Sequence, residues 1–188
     1  LGDDQAEPEC AAADLLAQAE HDPDALPVLI ALSEGFVDAV ERALRAQIED
    51  LSTAETARAA LARGFAVVAP SLDAAFGLSD LLAPEHLELL VTDTVSAAAR
   101  VRHYGALFLG PQSAEVFGDY GVGPNHVLPT GGTARFAGGL SVFQFLRVRT
   151  WLRMDGDAGT RRGVAADAET FARLEGLEAH ARAAARRA

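Results

Sequence analysis

Along the chain, apolar positions switch repeatedly between a helical and an extended spacing. Pro8 suits a first helical turn, and Ala11, Leu15 and Ala19 recur at helical spacing from there to His21. Pro27 to Leu32 is a continuous apolar run, the pattern of a strand buried on both faces. Ser33 can cap a second helix in which Phe36, Val40, Leu44 and Ile48 fall every fourth residue. Ser52, Thr53, Ala54 and Glu55 have capping-box spacing and open a third helix, which Gly64 can close. Phe65 to Ala69 reads as another buried strand, stopped by Pro70, and a short helix over Leu72 to Leu82 follows. Leu87 to Val91 predicts a third strand and Asp93 to His103 a helix. Gly105 then turns the chain into a fourth strand, Ala106 to Leu109. Such alternation implies βαβ units, hence an α/β fold with a Rossmann-like parallel sheet and flanking helices.

The stretch from Gly110 to Gly139 differs in kind, with eight Gly and three Pro in 30 residues. Long Gly-rich loops inside compact domains are usually functional or disordered, and Asp119, Asn125, His126 and Arg135 in this one favour function. Beyond it, Val142, Phe143, Phe145, Leu146, Val148 and Trp151 are expected to continue the fold. Asp155 to Val164 reads as a polar linker, and Asp167 to Ala188 as a C-terminal helical tail with Phe171, Leu174 and Leu177 on one stripe. A lone amphipathic helix cannot bury its stripe by itself and must dock on the domain or on a neighbouring chain. The expected organisation is a partial Rossmann-like α/β domain over residues 1–146, then a linker and dimer-docking tail over 147–188.

Composition narrows the function classes. The 188 residues carry a formal net charge of -11, and all 16 cations are Arg. Without Lys, Schiff-base chemistry and a P-loop lysine are excluded. The acidic balance argues against nucleic-acid binding, which needs cationic surface. Cys10 has no partner for a disulfide within the chain. A hydrophobic share of 49% excludes wholesale disorder. No apolar stretch approaches the ~20 residues that span a membrane. The first ten residues lack the features of a signal peptide, and the Leu1 start raises the expectation of sequence upstream.

Several polar groups could carry chemistry. Gln18 and His21, three apart, share one face of the first helix and could be half of a metal site; equally, His21 could simply answer the negative end of the helix dipole. Glu85 and His86 follow Pro84 at a strand edge. An adjacent carboxylate and imidazole can divide general acid and base work, though such pairs also occur by chance on surfaces. Asp119 and His126 lie in the Gly-rich loop with types that suit zinc. The alternative there is a loop whose polar side chains, Asn125 included, bond their own backbone. His180 continues the tail's apolar stripe, and Glu175 lies five residues before it. His103, placed in a last helical turn, needs only the dipole explanation.

Taken together, these residues resemble the histidinol dehydrogenase family. The motifs are Asp14-Leu15-Leu16-Ala17-Gln18-Ala19-Glu20-His21, Ala83-Pro84-Glu85-His86-Leu87, Phe108-Leu109-Gly110-Pro111 and Gly118-Asp119-Tyr120. They continue through Gly123-Pro124-Asn125-His126 to Thr133-Ala134-Arg135-Phe136 and end in Glu178-Ala179-His180-Ala181. The resemblance implies a cytoplasmic oxidoreductase of histidine biosynthesis that uses Zn2+ and NAD. It would oxidise L-histidinol to L-histidine through an aldehyde. It implies metal ligands at Gln18, His21, Asp119 and His180, and an acid/base pair at Glu85 and His86. His86 would accept the hydroxyl proton and Glu85 would activate the attacking water. Substrate contacts would come from Gln18, His21, His86, Asp119, His126, Glu175 and His180. It further implies a homodimer with shared active sites, the terminal helix completing the partner's site. The family's chain is more than twice as long, so the NAD-binding residues are expected upstream and the isolated chain is expected to be inactive. Arg147 to Arg162 is not closely family-like. Two alternatives remain open on the residues alone: a related Zn/NAD dehydrogenase of another small polar alcohol, and a non-catalytic zinc-binding or dimerisation module.

Overall fold

The structure, a computed structural model, describes all residues except Pro124, which falls within one of the motifs above, and Ala188 at the end of the tail. It divides into two compact units, Leu1–Phe145 and Leu146–Ala188.

The first unit is α/β: α1 (Pro8–Ala19), β1 (Val28–Ala31), α2 (Glu34–Gln47), α3 (Ala54–Leu61), β2 (Phe65–Val68), α4 (Leu72–Leu82), β3 (His86–Leu89), α5 (Thr94–Ala98) and β4 (Ala106–Leu109). Short 3-10 turns follow at Glu115–Gly118, Thr133–Arg135 and Val142–Phe145. Strand β1 pairs in parallel with β2, Val28 opposite Phe65, and β3 pairs in parallel with β4, His86 opposite Ala106. The continuous sheet expected from the periodicity is thus two strand pairs, and the N-terminal residues join them. Gly2 bridges Ala31 on one side and Leu90 on the other, both in parallel sense. Its N–H donates to the Ile30 carbonyl at 2.9 Å, and the Leu90 N–H donates to the Leu1 carbonyl at 2.8 Å. The position demands glycine, because a Cβ would stand 2.5 Å from Phe36 Cε1.

Strand β1 is buried on both faces, as its apolar run predicts. Leu29 and Ala31 join Ala11, Ala12, Phe36 and Val40 of α1 and α2 in one core cluster. Ile30 points the opposite way, to a cluster with Ala69 and Ala75. Helix α2 begins as expected, its Phe36 N–H donating to the Ser33 hydroxyl at 3.2 Å. The Phe65 run departs from expectation: Phe65 and Val68 are each 43% exposed. Strand β2 has β1 on one side and forms the edge of its pair, and a hydrophobic run does not distinguish an edge from a centre. The capping box of α3 is not made either. Thr53 stands at the N-cap with no side-chain bond to the helix, and its hydroxyl donates instead to Glu20 Oε2 at 2.5 Å.

Helix α5 is shorter than predicted and ends at Ala98. His103 therefore lies in coil, its N–H donating to Asp80 Oδ1 at 3.0 Å, and the helix-dipole reading of His103 does not apply. The apolar residues after the Gly-rich loop do not continue the core. Val142, Phe143, Phe145, Leu146, Val148 and Trp151 are all strongly exposed.

The second unit is a pair of helices, α6 (Ala158–Leu174) and α7 (Glu178–Ala185). Most of the predicted linker is helix: Asp157 accepts from the N–H groups of Gly159 at 2.7 Å and Thr160 at 3.0 Å, and so caps α6 before the linker would have ended. The predicted single tail helix is broken at Gly176. That residue adopts φ +76°, Gly176 N–H donates to the Arg173 carbonyl at 3.0 Å and Leu177 N–H to the Ala172 carbonyl at 2.7 Å. This bond pair is a Schellman C-cap, which a left-handed glycine completes. Among the described residues no helix is long and apolar enough to cross a membrane.

Candidate active site

Three local structures of the first unit point polar side chains at one place. Helix α1 carries Asp14 and Gln18 four residues apart, hence on one face, and ends at Ala19. His21 follows it, exposed, its N–H directed at the Gln18 carbonyl at 3.4 Å. Helix α4 stops at Ala83, which takes φ 49° and ψ 62°. A left-handed conformation costs a non-glycine residue roughly 1–2 kcal/mol. Here it reverses the chain at once, so that Pro84, Glu85 and His86 lead into β3. The pairing of β3 with β4 starts at this turn: Gly105 N–H donates to the Pro84 carbonyl at 2.9 Å and Ala106 N–H to the Glu85 carbonyl at 2.8 Å. A Cβ on Gly105 would lie 2.5 Å from the Glu85 oxygen, so glycine permits the approach that holds the Glu85–His86 backbone. The turn Glu115–Gly118 presents Glu115, with Asp119 following one turn on.

The cavity between these pieces has a volume of about 550 Å³, and its walls include Asp14, Gln18, Glu85, His86, Glu88 and Glu115. His86 stacks on Phe108 with ring centroids 6.0 Å apart and planes at 27°. Its Nε2 is 3.9 Å from Glu115 Oε2. Burial lowers the His86 pKa, partly opposed by the Glu85 and Asp119 carboxylates. The imidazole is thereby kept neutral and able to accept a proton. Asp119 Oδ1 is 3.7 Å from His126 Nδ1. Deeper in the cavity, burial and the Asp14 carboxyl push the pKa of Glu88 up to about 8. Beside it, the Leu1 nitrogen donates to the Glu88 carbonyl at 2.8 Å.

Gln18, His21, Glu85, His86, Asp119 and His126 thus belong to one region. His86 feels the charges of Glu85, Asp119 and His21, and Glu115 feels Gln18, Asp119 and His21. Glu175 and His180 belong to the second unit, where Glu175 ends α6 and His180 lies exposed on α7. Two residues of the Gly-rich loop prove structural. Asn125 donates to the Leu140 carbonyl at 2.5 Å and accepts from the Val127 N–H at 2.8 Å. Arg135 ties its own turn to α4 through the Gly132 and Leu81 carbonyls. Sequence reasoning missed Glu115, which is 3% exposed, and the Asp14–Glu88 pair. A usable signal existed: Asp14 with Gln18 and Glu115 with Asp119 at helical spacing, and Glu88 with His86 at strand spacing.

Among the described residues no three His, Cys, Asp or Glu side chains are grouped to hold a metal. Gln18 falls outside that chemistry, and His180 lies in the other unit. The donor types fit zinc: two imidazoles, a carboxylate and an amide oxygen suit a tetrahedral ion of borderline softness. Glu115 supports the fit, for both its oxygens are buried and none of the described groups hydrogen-bonds them.

A sequence model described as histidinol dehydrogenase matches residues 1–188. The chain belongs to the histidinol dehydrogenase family. It is 46% identical over 182 residues to the histidinol dehydrogenase of Thermus thermophilus, covering 97% of this chain and 44% of that protein. It is 49% identical over 188 residues to that of Nitratidesulfovibrio vulgaris, covering 100% of this chain and 43% of the relative. The crystal structure of histidinol dehydrogenase from Elizabethkingia anophelis superposes with a TM-score of 0.90 at 33% identity, over 99% of this chain and 42% of that one. The chain therefore spans somewhat over two fifths of its histidinol dehydrogenase relatives. The match includes Arg147 to Arg162, which the motifs leave uncovered.

Proposed function

We propose that the chain is the acid/base and metal-ligand portion of a cytoplasmic enzyme that oxidises L-histidinol to L-histidine in histidine biosynthesis. The observation that carries this reading is the one cavity lined by Gln18 and the Glu85–His86 pair, with His21 and Asp119 near enough for their charges to act on His86. Gln18, His21, Asp119 and His180 would hold the zinc ion. When bound, zinc would favour loss of the alcohol proton by charge stabilisation and NAD would accept hydride. NAD contacts are proposed to come from the part of the relatives' length that this chain does not span.

The chain's own residues supply proton transfer and positioning. His86, held neutral by burial, accepts the hydroxyl proton as the carbinol carbon loses hydride. Phe108 fixes the plane of that ring. Glu85 takes a proton from the water that attacks the aldehyde, so the hydrated carbon can lose a second hydride. His126, adjacent to Asp119, and Glu175 contact the substrate, with the Glu175 carboxylate suited to an ammonium group. His180 is contributed across a homodimer, so each site uses two copies of the chain.

The test is NADH formation from histidinol and from other small amino alcohols, by the protein at its relatives' full length. Selective turnover of histidinol supports the assignment, and preference for another alcohol reassigns the substrate. The 188-residue chain alone is expected to produce no NADH.

A further inference from the structure

Ala83 is the one non-glycine residue with positive φ among the described residues, and its side chain is fully buried. Strained backbone of this kind persists only where the surroundings enforce it, and it gathers at functional sites. Glu85 and His86 follow two and three residues later. On the helix side of the turn, the Ala83 N–H donates to the Ser79 carbonyl at 2.8 Å and closes the last turn of α4. The Leu81 carbonyl lies in that last turn, where no helical N–H can reach it, and Arg135 Nη2 donates to it. Arg135 Nη1 donates to the Gly132 carbonyl at 2.9 Å. A cation here also answers the negative end of the α4 dipole. Gly132 leaves room for the guanidinium, because a Cβ there would stand 2.5 Å from Arg135 Nη1 and 3.6 Å from the Leu82 carbonyl oxygen. On the strand side, Gly105 and Ala106 hold the Pro84 and Glu85 carbonyls. Pro129, from the same Gly-rich loop as Arg135, lies against Gly105.

Resting on the acid/base reading above, we propose that Arg135 is a positioning residue for the Glu85–His86 pair: by bridging the Leu81 and Gly132 carbonyls it holds the left-handed turn at Ala83 that sets where the two side chains stand. The guanidinium suits this task because its planar fork presents donors to two carbonyls at once, which a lysine ammonium does not do with the same geometry. Released from the fork, the end of α4 can relax away from the strained conformation, and Glu85 and His86 move with it. A misplacement of about 1 Å in a proton-transfer group costs on the order of 100-fold in rate.

The test combines kinetics of the protein at its relatives' full length with amide exchange on the 188-residue chain. Arg135→Met keeps the apolar stem and loses the donors. Its kcat for histidinol is expected to fall about 10- to 100-fold, with KM changed by less than about 3-fold, the pattern of an interaction made in the transition state. Arg135→Lys is expected to recover only part of the loss. Guanidinium ion at millimolar concentration is expected to restore kcat in Arg135→Ala and to leave Glu85→Gln unaffected. In a His86→Ala background, Arg135→Met is expected to cause little further loss, because its effect runs through the pair. Amide exchange at Gly105 and Ala106 is expected to quicken in Arg135→Met, while that at Ala69, bonded to the Ala31 carbonyl, keeps the parent's rate. Unchanged kcat, a rise in KM alone, or full additivity with His86→Ala overturns the proposal. So does equal quickening at all three amides, which makes Arg135 a general support of the fold. If the parent itself does not turn over histidinol, the acid/base reading fails and the proposal falls with it, an outcome distinct from an active parent matched by its Arg135→Met variant.

Discussion

At the residue scale, substitutions should separate the proposed metal ligands from the proposed acid/base pair. His21→Ala removes a nitrogen donor and is expected to lower zinc occupancy. Glu85→Gln removes proton-transfer capacity from a group outside the proposed ligand set and should leave occupancy intact. Metal analysis of the two purified variants decides this, and equal loss in both would refute the division of roles. Glu88 gives a separate handle through pH. Its folded pKa of about 8 lies above its ordinary value of 4.5, so the folded chain holds a proton that the unfolded chain releases between those limits. Stability contributed by the protonated Glu88 is therefore present below about pH 4.5 and lost as pH rises toward 8. Glu88→Gln abolishes that loss. The variant's gain in melting temperature over the parent is expected to be larger at pH 8 than at pH 5. A gain that is equal or smaller at pH 8 would show that Glu88 is not held protonated by its burial and by Asp14.

At the element scale, the break between α6 and α7 decides how Glu175 and His180 are presented. They sit on either side of a left-handed glycine, Glu175 as the C-cap of one helix and His180 within the next. Gly176→Ala is expected to destabilise the helix pair by about 1 kcal/mol, the cost of a Cβ in the left-handed region. Gly176→Asn should cost less, since Asn tolerates that conformation. Denaturant unfolding followed by helical signal measures both, and an Ala variant as stable as the parent would mean the break is not enforced by Gly176. The example also shows what sequence can reveal at this scale. Helix α4 and strand β4 were legible to the residue because caps and turns bound short periodic runs. The α6–α7 break was not, because an isolated glycine inside helical spacing can be tolerated within a helix or can end it. Likewise Phe65 to Val68 was legible as a strand but not as an edge, since exposure depends on neighbours distant in sequence. Of the proposed site, Glu85, His86, Gln18 and His21 stood out in the sequence through local motifs that resemble the family's. Glu115 did not, because its meaning arises only when its turn packs against α1.

At the scale of the whole molecule, the apolar run after the Gly-rich loop has no covering in either unit. Phe145 is 80% exposed, Val148 89%, Trp151 85% and Leu152 87%. Exposed large apolar side chains grouped along the chain in this way suit an interaction site. The proposed homodimer, in which His180 serves a partner's site, supplies a surface to cover it. Trp151 is the chain's single tryptophan, so its fluorescence reports on this run alone. Emission is expected to move to shorter wavelength as protein concentration rises through the dimerisation range measured by ultracentrifugation. Val148→Asp places a charge in the same run, and should weaken association and keep the emission at longer wavelength at every concentration. Because unit 1 buries none of these side chains, the variant's metal-free thermal stability should match the parent's at concentrations where both are monomeric. A dimer that forms with Trp151 emission unchanged would place the interface elsewhere and leave the exposed run to another surface of the longer protein. A stability loss in the monomeric variant would mean instead that the run packs within one chain.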